Sequence, residues 1–284
     1  MIDLENISME EYKKVLDELH GCLLKIALEV KRVCEKNHIG YFLLAGSLLG
    51  AVRHRGFIPW DDDLDMGMLR EDYERFIRIC PQELGEEFEL INYETEKNFG
   101  LPYSKIQLKN TTLTEAYAPE YTCGNGIFID VGPVDRIPDS GFKKKVLGIK
   151  TLFLRYAMIK KCGYEESTPE ITMKKRIGRL YSRLHTKKYL IRKTERLVTK
   201  YNSKDTKMYY VTGSSYHYGK EAFPVELVTG DLPEYEFEGV MLKGPKHPEI
   251  ILEMLYGDYM KLPPEDKRYN RHGIVAIDFY NRAK

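Results

Sequence analysis

"FLLAGSLLGAVRHRGFIPWDDDLDMGM", residues 42–68, decides the fold. Around its start, residues 41–45 form an apolar run of the length expected for a buried strand. Gly46-Ser47 then opens a stretch with helical spacing, LLGAVRHR, which Gly56 and Pro59 break. Residues 63–68 alternate between polar and apolar, the period of a strand. The difficulty is the acidic run. Asp61, Asp62, Asp63 and Asp65 place four carboxylates in five positions, directly after Pro59-Trp60. Like charges so close must be either solvated, as in an acidic surface turn, or held by a cation.

The alternation favours the cation. On a strand, Asp63 and Asp65 share one face while Leu64 and Met66 point to the other. Two carboxylates on a half-buried face are costly without a bound positive charge. Hard divalent ions such as Mg²⁺ or Mn²⁺ take such oxygen ligands and leave positions for water and substrate phosphate. An EF-hand loop is a poor fit, because its sixth and twelfth positions would be Met66 and Asp72 instead of Gly and Glu. Two further features converge. Gly46-Ser47 stands at a strand-to-helix junction, where backbone N–H groups attract phosphate. Residues 126–130 read as an apolar strand ending in Asp130, a candidate third ligand or an ordinary cap.

Outward from this stretch the chain mixes strands and helices. Upstream, residues 10–37 carry apolar residues at helical spacing behind a capping box, Ser8 and Glu11. Downstream, residues 70–79 read as a helix, and 89–92, 103–108, 113–117 and 126–131 as strands. Residues 141–200 turn helical and strongly basic, with 18 Lys and Arg against four acids, a net +14. The whole chain carries only +1, so the remainder carries −13. Residues 209–212 and 236–243 read as strands and 248–255 as a helix with Pro248 in its first turn. The chain closes on the apolar GIVAIDF, residues 273–279. The expected fold class is α+β with a mixed β-sheet. It divides into a core that carries the acidic run, with its N-terminal helix (1–140), a basic helical segment (141–205) and a mixed C-terminal region completing the fold (206–284).

Composition narrows the setting. The 284 residues suffice for a real core, and 43% hydrophobic with 31% charged residues is the balance of a soluble globular protein. Five scattered cysteines without a C-x-x-C pair suggest neither a disulfide framework nor a zinc site, which fits a reducing cytoplasm. The polar start, MIDLENISMEEYKK, is not a secretory signal, and no apolar run approaches the roughly 20 residues that span a bilayer.

The run from Phe42 to Phe76 closely resembles the signature of the LicD family, the phosphocholine transferases and their fukutin-related relatives. Tyr103-Ser104-Lys105-Ile106, IFIDVGPVDRIP (127–138) and YGDYMKLPPEDKR (256–268) extend the likeness, with His272 close behind. The resemblance implies a nucleotidyltransferase-like core. Gly46 and Ser47 would hold donor phosphates, and Asp63, Asp65 and Asp130 would bind Mg²⁺, with Asp61 as an additional contact. Arg53 and Lys105 are the cations expected on phosphate, and His272 is a second-line candidate for phosphate or proton transfer. The implied reaction transfers a phospho-alcohol, most often phosphocholine, from CDP-choline or a related CDP-alcohol to a sugar hydroxyl of a glycan, lipopolysaccharide or teichoic acid precursor. The acceptor would be lipid-linked, and CMP would be released. A nucleotidyltransferase placing an NMP on a small molecule or protein would use the same carboxylates. No nucleic-acid partner is implied. The basic segment adds an expectation of its own, contact with an anionic membrane surface at the inner face of the membrane.

Overall fold

The N-terminal helix α1 (Met9–Lys36), preceded by a two-residue strand β1 (Ile2–Asp3), starts at a complete capping box. The Ser8 hydroxyl accepts from the Glu11 N–H at 3.2 Å, and the Glu11 carboxylate accepts from the Ser8 N–H at 2.9 Å. One face of α1, from Val15 to Cys34, is buried against the central sheet. The computed structural model describes residues 1–4, 7–164, 173–213, 221–265, 268 and 273–279.

The quoted stretch folds as strand–helix–loop–strand: β2 (Phe42–Leu43), α2 (Ala45–His54), a loop, and β3 (Asp65–Leu69). Then follow α3 (Arg70–Glu83), β4 (Phe88–Ile91), β5 (Ser104–Leu108), β6 (Thr112–Glu115) and the long β7 (Ile127–Ile137). The basic segment forms α4 (Gly141–Lys161), α5 (Met173–Leu184) and α6 (Lys187–Val198). β8 (Met208–Val211), β9 (Phe223–Pro224), β10 (Glu234–Phe237), β11 (Val240–Lys243), α7 (Pro248–Tyr256) and β12 (Ile274–Asp278) complete the chain. The class is α+β.

The central sheet runs β2-β3-β7-β5-β4, with β8 also paired to β7 and β9 to β8. Among the described residues of this sheet the β3–β7 pair is parallel and the others are antiparallel. A second antiparallel sheet runs β1-β12-β6. Strand β7 is longer than the pattern predicts, because Pro133 does not end it. β5 pairs with β7 through Val131, and β8 takes over at Val134. Pro133 sits where the antiparallel partner changes, so on that side its missing N–H leaves no gap in a ladder. The single strand expected over 236–243 is a correction: it is a hairpin, β10–β11. Glu238 and Gly239 both have positive φ (51° and 76°), the conformation of a two-residue hairpin turn.

One buried ion cluster joins these parts. Arg70, at the β3–α3 junction, meets Asp135 of β7 through two bonds, Nε to Oδ1 at 2.8 Å and the second guanidinium nitrogen to Oδ2 at 2.5 Å. Asn202 and Thr212 also donate to Asp135, and Glu195 of α6 pairs with Arg70 at 3.2 Å. The bidentate geometry and added donors offset the desolvation of both charges. The cluster fixes the basic helices to the sheet.

Candidate active site

The acidic loop is held by its backbone from four directions. Phe57 N–H donates to the Glu238 carboxylate at 2.9 Å, which ties the loop to the β10–β11 turn. His20 of α1 stacks flat on Phe57, with centroids 4.1 Å apart, and bonds the Asp61 carbonyl at 2.7 Å. A carbonyl only accepts, so His20 Nε2 carries the proton. Burial holds the His20 pKa below its ordinary value, consistent with a neutral ring. The Asp65 N–H donates to the Ser47 hydroxyl at 2.8 Å, and the Asp65 carbonyl accepts from Leu44 at 3.1 Å. The Asp130 N–H donates to the Leu64 carbonyl at 3.0 Å, so β7 grips the loop just before β3 begins. These bonds keep neighbouring carboxylates in place against their mutual repulsion.

The residues named from the sequence, His272 apart, come together, in a manner the sequence did not specify. Regular β3 starts at Asp65, so Asp63 lies just outside the strand expected over 63–68. The alternation nevertheless persists: Leu64 and Met66 are fully buried, and Asp63 and Asp65 face clefts. Asp65 is the register partner of Asp130 on β7, and Asp130 that of Lys105 on β5. Register partners share a face of a sheet, so Asp65, Asp130 and Lys105 form one row across three strands, with strands about 4.8 Å apart. The buried Lys105 ammonium turns to Glu115 at 3.0 Å and lies 3.2 Å from the Phe128 ring centroid.

Gly46 and Ser47 fall inside the first turn of α2, which begins one residue earlier than predicted, at Ala45. Ala45 has φ 40°, a strained conformation for a residue with a side chain, at the point where β2 turns into α2. A Cβ on Gly46 would stand 2.6 Å from Asp61 Oδ2, so this glycine makes room for the Asp61 carboxylate. The carboxylate thereby lies at a helix N-terminus, where the helix dipole favours negative charge.

Three clefts meet at these carboxylates. One, of about 520 Å³, is lined by Gly46, Arg53, Trp60, Asp61, Asp63, Asp65 and, from the C-terminal region, Tyr256, Tyr259 and Lys261. A second, of about 510 Å³, holds Asp63, Asp65 and Asp130 with Tyr103, Glu221 and Phe223. The third, of about 280 Å³, holds Asp62, Asp63 and Asp130 with Lys105, Glu115 and, from α4, Arg155. Asp63 lines all three. In the first cleft Arg53 is oriented by the Tyr259 carbonyl at 2.5 Å and by the His54 ring at 2.9 Å. Sequence reasoning missed Trp60, Tyr256, Tyr259, Lys261 and Glu115. The stretch 256–268 was visible as a motif, but only the fold brings it to the acidic loop. His272 lies outside the described residues.

A divalent cation suits this donor set. Asp61, Asp62 and Asp63 each bring an oxygen within 4.8 Å of the others. Asp62, buried, joins the trio without having been expected as a ligand. Asp65 and Asp130 stand side by side on the adjoining strands. All donors are carboxylate oxygens, the chemistry of a hard ion such as Mg²⁺.

An acidic loop between a helix start and a mixed sheet, with carboxylates from two adjoining strands, is an arrangement suited to holding a divalent cation beside a phosphate. Residues 38–148 match the family model described as "LicD/FKTN/FKRP, nucleotidyltransferase domain". The chain is 29% identical over 272 residues to the lipopolysaccharide cholinephosphotransferase LicD of Haemophilus influenzae, a match covering 92% of this chain and 97% of that protein. It is 33% identical over 90 residues to the human ribitol 5-phosphate transferase FKRP, covering 30% of this chain and 18% of that protein. An uncharacterized protein of Rickettsia typhi is 41% identical over 97 residues, covering 34% of this chain and 29% of its own length.

Proposed function

We propose that this protein is a Mg²⁺-dependent transferase. It moves a phospho-alcohol, phosphocholine in the first instance, from a CDP-linked donor to a sugar hydroxyl of a cell-surface glycan or teichoic acid precursor, releasing CMP. The observation that carries this reading is the meeting of three clefts at Asp63, beside Asp65 and Asp130. A transferase must seat two substrates against one reacting phosphorus, and such positioning is a large part of catalysis. The near full-length likeness to a cholinephosphotransferase supports the choice of group.

The roles divide by cleft. The 520 Å³ cleft suits the nucleotide half of the donor. Arg53 and Lys261 supply positive charge for a diphosphate, and Trp60 and Tyr259 supply faces for a pyrimidine ring. The acceptor enters from the side of Asp130. Its hydroxyl oxygen forms the new P–O bond as the bond to the CMP oxygen breaks, and Asp130 takes the hydroxyl proton. Lys105, in the same row, keeps positive charge beside Asp130 while Glu115 anchors it. A bound Mg²⁺, held by the aspartates of the acidic loop, would neutralise charge developing on the diphosphate oxygens.

The name of the matched family model also suits a second reading, transfer of an NMP from an NTP. One incubation separates the two. With Mg²⁺ and CDP-choline, phospho-alcohol transfer yields CMP; with each NTP, nucleotidyl transfer yields pyrophosphate. Pyrophosphate from an NTP, with no CMP from any CDP-alcohol, would overturn the proposal.

A further inference from the structure

Helix α5 is turned the opposite way from an ordinary amphipathic helix. Its small residues, Gly178 and Ser182, are buried. A Cβ on Gly178 would lie 3.3 Å from Tyr156 Cβ, so α5 approaches α4 closely on that side. Its large apolar residues are outside: Ile177, Leu180 and Leu184 are 52%, 59% and 70% exposed. Spaced three and four residues apart, these three share one face. Arg176, Arg179 and Arg183, also exposed, run beside them, and α5 contains no acidic residue. On α4, Phe142 and Ile149, seven residues apart and therefore on one flank, are 77% and 61% exposed. Phe142 is followed directly by Lys143, Lys144 and Lys145.

We infer that this face of the basic segment docks the protein on the surface of an anionic lipid bilayer. The occupant must satisfy two demands together: negative charge for the cationic stripe, and an apolar layer for Ile177, Leu180 and Leu184. An anionic headgroup region over acyl chains offers both, and an apolar face beside a basic one is the pattern of a helix lying in that interface. A second copy paired through the same face meets the apolar demand but sets one segment of net +14 against another. An acidic soluble polymer meets the charge and leaves the apolar residues in water. Docking is peripheral: among the described residues no helix is long and apolar enough to cross a membrane. The location serves the site, because α4 also contributes Arg155 and Ile159 to the cleft that holds Asp130. The proposal does not depend on which group is transferred.

Co-sedimentation of the full chain with vesicles tests it. Vesicles of phosphatidylcholine with one quarter phosphatidylglycerol should bind the protein at least ~10-fold better than phosphatidylcholine alone. Binding should weaken as salt shortens the screening length below ~10 Å. Two triple variants, Ile177→Gln with Leu180→Gln and Leu184→Gln, and Arg176→Gln with Arg179→Gln and Arg183→Gln, should each lose most of the binding while keeping the wild-type melting temperature, since all six positions are exposed. CMP release from CDP-choline, with a water-soluble acceptor, should be unchanged in both. Failure of the wild type to bind anionic vesicles overturns the inference. So does full binding by the apolar triple variant, or a wild-type dimer in solution that this variant dissociates.

Discussion

Gly46→Ala separates the site from the fold. The methyl group would stand 2.6 Å from Asp61 Oδ2, and among the described residues the other near atom is Asp61 Cγ at 3.7 Å. The obstruction is thus the far end of a side chain, which can rotate, and no backbone must move. To regain ordinary van der Waals separation the carboxylate must retreat by roughly 1 Å. Alanine is otherwise favourable in a helix, by up to ~1 kcal/mol over glycine. Stability should therefore be unchanged or slightly raised. The carboxylate of Asp61, in contrast, leaves its place beside Asp62 and Asp63. A displacement of that size at a reacting site costs up to ~100-fold in rate. Calorimetric titration with Mg²⁺ or Mn²⁺ should show weaker binding, CMP release should fall at least ~10-fold, and the melting temperature should not drop. Wild-type metal affinity and turnover would refute this account of Gly46. A loss of more than ~2 kcal/mol in stability would show that the backbone gives way instead.

Other substitutions probe the frame around the site. Ser47→Ala removes the acceptor for the Asp65 N–H, and a buried donor left alone costs ~1–3 kcal/mol, read by denaturant unfolding; activity should fall with it because Asp65 loses its anchor. Arg70→Ala leaves Asp135 buried without its bidentate partner and should destabilise by ~3–5 kcal/mol, the largest loss of this set. Glu96 is buried. Burial alone would raise its pKa, but hydrogen bonds from the Asn98 N–H and from the Thr122 hydroxyl and N–H outweigh it and hold the pKa below the ordinary 4.5. Its folded-state pKa is depressed, so its contribution is present above the unfolded value and is lost as pH falls through the folded one. Glu96→Gln should lower stability at pH 7 by ~1–3 kcal/mol and flatten the acid limb of the stability curve below about pH 4.5.

The sequence was legible wherever a local pattern coincided with a local cause. The capping box at Ser8 and Glu11, the period of α1, and Pro248 at the start of α7 are stated within a few residues of chain, and the structure follows them. The alternation of residues 63–68 correctly turned Leu64 and Met66 inward. Misreadings arose where tertiary pairing decided. The strand read over 126–131 runs on to Ile137, past Pro133, because its partner strand changes there. The hairpin in 236–243 carried no strong turn signal except Gly239, because Glu238 takes an unusual left-handed conformation. Register across strands is invisible in one sequence, so the row Asp65–Asp130–Lys105 had to come from the fold, as did the placing of Tyr259 and Lys261 opposite Gly46. The acidic run itself was plain; that Asp62 joins it from a buried position was not.

The central claim, that these aspartates carry phospho-alcohol transfer, is tested most directly by CMP release from CDP-choline. The comparison sets the wild type against Asp63→Asn, Asp65→Asn and Asp130→Asn, with Mg²⁺ and with excess EDTA, each variant first checked for a wild-type melting profile. The account predicts Mg²⁺-dependent CMP release by the wild type, its loss in EDTA, and a fall of at least ~1,000-fold in each variant, since stabilisation of transferring charge is usually the largest catalytic term. Near wild-type CMP release by folded Asp63→Asn or Asp65→Asn, or full activity in EDTA, would contradict it.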